Sequence, residues 1–165
     1  MAIETEVKIR LDEKGLAGII KKLGKPEFFP QQNIFYQFPK GFLRIRGENG
    51  KTYITLKGKN NSKEYNEREE IEFRVQTQSL SELRHLFGSL GMIEKLHYEK
   101  QRANFRLNDC IVSIDLLPDG KTYIEIEGNR EKITKNLRAL DLIRYPRENR
   151  SYFEMLGGKI DASSR

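Results

Sequence analysis

Ile3-Glu4-Thr5-Glu6-Val7-Lys8-Ile9-Arg10-Leu11 decides how the chain is read. Ile3, Val7, Ile9 and Leu11 share one parity and Glu4, Glu6, Lys8 and Arg10 the other. Successive side chains of a strand point to opposite faces, so this period of two predicts a strand with one apolar and one charged side. The same alternation recurs downstream. Phe42 to Glu48 sets Leu43 and Ile45 against Arg44 and Arg46, and Lys51 to Lys57 sets Ile54 and Leu56 against Thr55 and Lys57. Tyr65 to Val75 opposes Arg68, Glu70 and Glu72 to Ile71 and Phe73. Ile93 to Leu107 carries Tyr98, Lys100 and Arg102 on one side. Cys110 to Leu117 and Lys121 to Glu127 follow, the latter with Ile124 and Ile126 opposite Glu125 and Glu127, and an aromatic strand spans Asn33 to Phe38.

Helical spacing appears after Asp12, where Leu16, Ile19, Ile20 and Leu23 form a stripe that Gly24 ends. It appears again at Ser79 to Leu90, at about 129–142, and in a short segment near Arg150 to Leu156. Pro39 and Gly41 mark a turn, and Gly58 to Lys63 a loop. With about eight strands and short connections, antiparallel neighbours are expected. The predicted class is α+β with a large antiparallel sheet in a single domain over residues 1–165.

Composition narrows the function. The 165 residues carry 30 Lys+Arg and 24 Asp+Glu, a net charge of +6, with nine Phe and seven Tyr. That balance is not the one-signed, aromatic-poor composition of a disordered tail. One Cys and two His exclude a disulfide framework and a cysteine- or histidine-rich metal centre. Any metal would be held by carboxylates, hence a hard cation such as Mg²⁺ or Mn²⁺. No apolar run approaches the roughly 18 residues of a membrane span, and the first residues lack a signal peptide's pattern, so a soluble, cytoplasmic protein with no membrane partner is expected.

Where the charges fall carries more than their sum. One charged strand face is ordinary for a sheet with one side in water. Nearly every strand here has one, and Glu-x-Glu and Arg-x-Arg pairs recur. If the sheet closes, these faces line a polar interior, as in barrels with a lumen. Carboxylates from Glu4, Glu6, Glu125 and Glu127 would then cage a divalent cation, while Arg and Lys grip phosphate oxygens. Acidic and basic clusters in one cavity suit a metal–polyphosphate complex.

Glu4-Thr5-Glu6-Val7-Lys8 resembles the Glu-x-Glu-x-Lys signature of the CYTH family, the triphosphate tunnel metalloenzymes. Further pieces resemble that family in order. Gln32 to Tyr36 resembles its aromatic second strand, with Asn33 where many members have Asp. Leu43-Arg44-Ile45-Arg46, Thr55-Leu56-Lys57 and Arg68-Glu69-Glu70-Ile71-Glu72 follow. Lys100-Gln101-Arg102, Asp115, Glu125-Ile126-Glu127 and Ser151-Tyr152 to Leu156 complete the match.

The resemblance implies an eight-stranded antiparallel closed β-barrel, a tunnel with helices packed outside. It implies a divalent-metal-dependent enzyme, with Mg²⁺ or Mn²⁺, acting on a small triphosphorylated substrate as a monomer or homodimer. By position, Glu4, Glu6 and Glu127 would hold one metal, and Glu125 and Asp115 a second or its water, with Glu125, Asp115 and Lys8 in catalytic positions. Lys8, Arg44, Arg46, Lys57, Arg68, Lys100, Arg102 and Arg150 (or Arg147) would hold phosphates, and the roles of Glu70 and Glu72 stay open between metal, water and ion pairing.

Hydrolysis of inorganic, nucleoside or thiamine triphosphate is the leading expectation. A class IV adenylyl cyclase, making cyclic AMP and pyrophosphate from ATP, is the alternative within enzymes. A cyclase needs a base pocket, for which Phe28, Phe29, Phe35, Tyr36 and Phe38 are candidates, although strand aromatics more often build core. A non-enzymatic polyanion- or RNA-binding module is the other alternative; acidic pairs in the same groove count against nucleic acid. His85, His97, Cys110, Ser151 and Tyr152 read as surface, capping or packing residues, and Lys14, Lys21 and Lys22 as a solvated face.

Overall fold

The computed structural model describes residues 2–38, 41–58, 62, 64–76 and 79–157. The Pro39 turn, most of the 58–63 loop and the Phe38 side chain lie outside the described residues. The strands are β1 (Ala2–Leu11), β2 (Phe29–Phe38), β3 (Gly41–Glu48), β4 (Lys51–Gly58), β5 (Asn66–Val75), β6 (Glu94–Leu107), β7 (Cys110–Leu116) and β8 (Thr122–Glu127). The helices are α1 (Glu13–Leu23), α2 (Leu80–Ser89), α3 (Arg130–Ala139) and α4 (Tyr152–Met155). Every pairing is antiparallel, in the order β1-β5-β4-β3-β2-β6-β7-β8.

The sheet meets itself at β1. This strand pairs with β5 on one side and β8 on the other, but the two ladders are staggered. β5 takes Ala2 to Glu6, β8 takes Glu6 to Leu11, and only Glu6 belongs to both. Each of the eight strands thus has a neighbour on both sides, and the sheet closes on itself through a staggered join at β1. The cause is local. β8 has six residues, and Gly128, at φ 157°, turns the chain away toward α3 with its N–H on the Thr5 carbonyl at 3.0 Å. Beyond Glu127, β8 has no residues left to cover the start of β1. A cleft lined by Ile3, Glu4, Glu70, Phe73 and Glu127 lies there, with Ile3 and Phe73 largely exposed. At the other half of β1, the segment before α4 takes the place of β5: Ile9 bridges to Arg147, and the Glu148 N–H donates to the Lys8 carbonyl at 2.8 Å.

The apolar strand faces point outward, as expected, and helices cover them. Val7, Ile9, Leu11, Val112, Ile114, Ile124 and Ile126 pack with Ile19 of α1 and Ile133 and Leu137 of α3. Each such side chain contributes about 1.5–3 kcal/mol by leaving water. Asp12 caps α1, accepting the Gly15 N–H at 2.7 Å. On the far side, Phe87 of α2 sits over Ile34, Tyr36 and Ile45. Gly47 lets α2 approach, since a Cβ there would meet Leu80 Cδ1 at 2.7 Å.

α4 alone turns inward. Its capping box, with Ser151 and Glu154 bonding reciprocally, fixes the turn that carries Tyr152 and Phe153 into the end of the rolled sheet. There Phe153 stacks on Phe42 and tilts against Phe35, with ring centroids 5.6 and 5.3 Å apart. No helix among the described residues is long and apolar enough to cross a membrane.

Candidate functional site: a charged interior cavity

Because the strands are ladders of period two, the charged parity of β1, β3, β4, β5, β6 and β8 converges inside. The cavity of about 280 Å³ is lined by seven acidic side chains, Glu4, Glu6, Glu48, Glu70, Glu72, Glu125 and Glu127, and by seven cations, Lys8, Arg44, Arg46, Lys57, Arg68, Lys100 and Arg102. All seven of those cations and every expected acidic residue except Asp115 are thus brought to one space. Asp115 lies behind the wall, fully buried. Arg150 is not brought in: its side chain is exposed and forks onto Glu148, at 2.9 and 2.6 Å. Arg147 likewise turns to Glu64, over the Tyr65 ring.

One cluster forms where β6, β7 and β8 adjoin. The register sets Asp115 opposite both Arg102 and Tyr123. Asp115 accepts from Arg102 Nε at 2.7 Å and Nη2 at 2.5 Å, from Lys100 Nζ at 2.9 Å and from the Tyr152 hydroxyl at 2.8 Å. Burial alone would raise the Asp115 pKa, but Arg102 and Lys100 outweigh it and hold the carboxylate below its usual range. Arg102 also reaches Glu125, at 2.5 Å, and Lys8 stands 3.4 Å from the same carboxylate. Glu125 is accordingly held well below the ordinary value, its burial overcome by Arg102 and Lys8. Lys100 is pushed down to about 7, first by burial and then by Arg102.

A second cluster joins β1, β4 and β5. Lys57 bridges Glu4 and Glu70, 2.6 Å from each, and Arg44 lies 3.8 Å from Glu70. Thr55 donates to Glu72 at 2.7 Å and accepts from Arg44 at 3.2 Å. Glu70 and Glu72 are thus engaged with cations and a hydroxyl within the sheet.

Two parts of the cavity remain poorly compensated, and they have opposite signs. Glu6 faces Glu127 directly across the β1–β8 ladder, with Glu4 two residues along the same face. The pKa values of all three are raised, first by burial; Glu4 and Glu6 then push Glu127 up to about 7. Arg46 is the converse. Burial, then Arg44 and Arg102, lower it to about 10, and among the described residues its side chain donates only to Asn33 Oδ1, at 3.4 Å. Arg44 Nε is buried with no hydrogen-bond partner among the described residues. Hard oxygen donors short of positive charge fit a divalent cation by their chemistry. Among the described residues, however, no group of three or more His, Cys, Asp or Glu is already gathered for one.

Sequence reasoning missed Tyr152, which reads as a packing residue yet lines the cavity with its hydroxyl on Asp115. Lys8 and Lys100 place their ammoniums 4.2 and 4.3 Å from its ring centroid. The readable signal was Ser151-x-x-Glu154, a helix start immediately before the aromatic pair. Phe35 proves to be part of the cavity wall, whereas Tyr36 packs outside against Phe87. Phe28 stays partly exposed. Glu48, paired with Gln31, is a further lining residue without a prior assignment.

A rolled antiparallel sheet with an interior of paired carboxylates and guanidiniums defines a polyphosphate-handling class of protein. The CYTH domain model matches residues 2–150, and the chain belongs to that family, the triphosphate tunnel metalloenzymes. It is 29% identical to a candidate adenylate cyclase of Methanocaldococcus jannaschii, over 94% of this chain and 99% of that protein. Among solved structures, the PH1012 protein of Pyrococcus horikoshii is 28% identical with a TM-score of 0.77, covering 92% of this chain and 98% of the other. A Hippeastrum protein, described as a candidate adenylyl cyclase with a dominant triphosphatase activity, shares the fold at 18% identity and a TM-score of 0.72, with 94% of each chain covered. The family links the chain to triphosphate-processing enzymes, cyclases and triphosphatases alike.

Proposed function

We propose that the interior cavity binds a small triphosphorylated substrate together with Mg²⁺ or Mn²⁺ and cleaves one of its phosphoanhydride bonds. The observation that carries this is the split in compensation. Glu127 faces Glu6 across the ladder with no ion-pair partner among the described residues, and Lys57 and Lys8 do not offset the burial of Glu4 and Glu6. Among the same residues Arg46 has no carboxylate partner and Arg44 Nε has no hydrogen bond. A metal–triphosphate complex supplies both deficits at once, whereas a bare polyanion would meet the carboxylates and be repelled.

Glu4, Glu6 and Glu127 would hold the cation, which when bound supplies charge neutralisation and acidifies water. Arg44, Arg46 and Arg102 grip phosphate oxygens through planar, forked donors. Lys8, Lys57 and Lys100 add point charge from the walls. Asp115 acts behind these residues, orienting Arg102 and Lys100 through three hydrogen bonds. Glu125, held ionised, works by charge and orientation, since a carboxylate so far below neutrality is a poor proton acceptor. Arg150, facing solvent, has no part in gripping phosphate in this arrangement.

Two outcomes share this machinery. Cyclisation of ATP to cyclic AMP and pyrophosphate is supported by the name of the M. jannaschii relative, matched over nearly its whole length. It also has a candidate base wall in Phe35, Phe42 and Tyr98, which line the cavity's aromatic end. Hydrolysis is the second reading. A cavity of about 280 Å³ lies just below the roughly 300–1,000 Å³ common for organic ligands and suits a triphosphate chain alone. The test is a panel of inorganic triphosphate, ATP and thiamine triphosphate with Mg²⁺ or Mn²⁺, products resolved by chromatography. Cyclic AMP with pyrophosphate supports the first outcome and released phosphate the second. No metal-dependent product from any substrate would refute both.

A further inference from the structure

We infer that Tyr152 is a positioning residue, whose ring holds the ammoniums of Lys8 and Lys100 together at the end of the cavity, where they face a bound anion. This deepens the reading of the cavity as a triphosphate site and rests on it.

The two cations come from different strands, β1 and β6, and each has a carboxylate near enough to draw it away. Lys8 stands 3.4 Å from Glu125 and 3.9 Å from Glu6, and Lys100 stands 2.9 Å from Asp115. Left to those partners, the two ammoniums would spend their charge on the walls. Both keep those contacts but also lie over one aromatic ring, at 4.2 and 4.3 Å from its centroid. The negative face of a ring attracts a desolvated ammonium without neutralising it, so the cation stays available to an anion. The ring cannot drift. Its hydroxyl donates to Asp115 Oδ2 at 2.8 Å, and the reciprocal Ser151–Glu154 bonds fix the turn that carries it. Lys8 closes the arrangement by donating to the Arg150 carbonyl at 3.0 Å, tying β1 to the chain just before Tyr152.

Two substitutions separate ring from hydroxyl. Tyr152→Phe keeps the ring and loses the bond to Asp115, while Tyr152→Leu loses both. Leu117→Ala, in the same buried cluster, controls for lost packing. Inorganic triphosphate is titrated calorimetrically into each protein with Mn²⁺ present. The Phe variant is expected within about threefold of wild-type affinity, the Leu variant about tenfold or more weaker, and the Leu117→Ala variant near wild type. A Leu variant that binds like wild type overturns the inference. So does a Phe variant as weak as the Leu variant, which would give the role to the hydroxyl, or an equal loss in Leu117→Ala, which would reduce it to packing. Failure of wild type to bind triphosphate refutes the reading of the cavity itself, and this inference with it.

A ligand-free readout covers the case in which the Leu variant does not fold. Ring currents should move the lysine side-chain signals nearest the amino groups of Lys8 and Lys100 upfield in the NMR spectrum of wild type and of Tyr152→Phe. Unshifted signals in both overturn the inference.

Discussion

Asp115→Asn is the perturbation whose cost can be worked most directly from the structure. Asp115 is fully buried and accepts four hydrogen bonds, from both donors of the Arg102 fork, from Lys100 and from Tyr152. Asparagine keeps the shape but removes the charge and one acceptor. Removing one partner of a buried ion pair costs about 3–5 kcal/mol, because the other charge stays buried and unpaid for. Two features favour the lower end. Arg102 retains Glu125 at 2.5 Å, and Lys100, with a pKa already near 7, can shed its proton once Asp115 is neutral. A loss of about 3 kcal/mol corresponds to a fall in Tm of about 6–12 °C for a chain of this size. The sign with pH is fixed too. A carboxylate whose folded pKa is depressed stabilises the fold above its unfolded pKa and loses that contribution as pH falls through the folded value. The gap between wild type and variant should therefore be full at pH 7 and close in strong acid. Urea unfolding at several pH values measures it; a difference under about 1 kcal/mol at pH 7 would refute the reasoning.

Other consequences follow from the same geometry. Glu4→Gln with Glu6→Gln should abolish Mg²⁺- or Mn²⁺-dependent turnover while leaving far-UV circular dichroism unchanged, and turnover of wild type should vanish with a chelator; activity in the double variant speaks against the assigned metal side. Glu127, pushed up to about 7, binds a proton in the folded state that the unfolded chain releases near 4.5, so the metal-free protein should lose stability as pH rises between those values. Mn²⁺ should remove that loss; thermal melts in chelator and in Mn²⁺ across pH 4.5–8 decide it. Gly128→Ala should destabilise by about 1–3 kcal/mol, since its Cβ would meet Cys110 Sγ at 2.7 Å. An unchanged urea midpoint would show that the turn out of β8 is not constrained as described.

Much of the site was legible because a period of two is a local property. Glu4 and Glu6, Arg44 and Arg46, Lys100 and Arg102, and Glu125 and Glu127 each share a face by spacing alone, and the strands that carry them formed where the alternation lay. What escaped was set by register and by long-range partners. The staggered join at β1 depends on β8 stopping at Glu127, which no alternation within β1 announces. Asp115 is sealed because register places it opposite Arg102, so a residue that sequence places among metal ligands becomes a support for cations. Arg150 leaves the site because Glu148, two residues away, captures it first. Tyr152 enters because a helix of four residues, capped at Ser151, turns inward, and its partners Lys8 and Asp115 are distant in sequence.

The central claim is that acidic and basic halves of one cavity hold a metal–triphosphate complex. Soaking or co-crystallising the protein with Mn²⁺ and a non-hydrolysable triphosphate, and collecting anomalous data at the manganese edge, tests it most directly. The account predicts an anomalous peak among the carboxylates of Glu4, Glu6 and Glu127, with phosphate oxygens against Arg44, Arg46 and Arg102. Manganese and phosphate bound elsewhere on the protein, with the cavity holding only solvent, would contradict it.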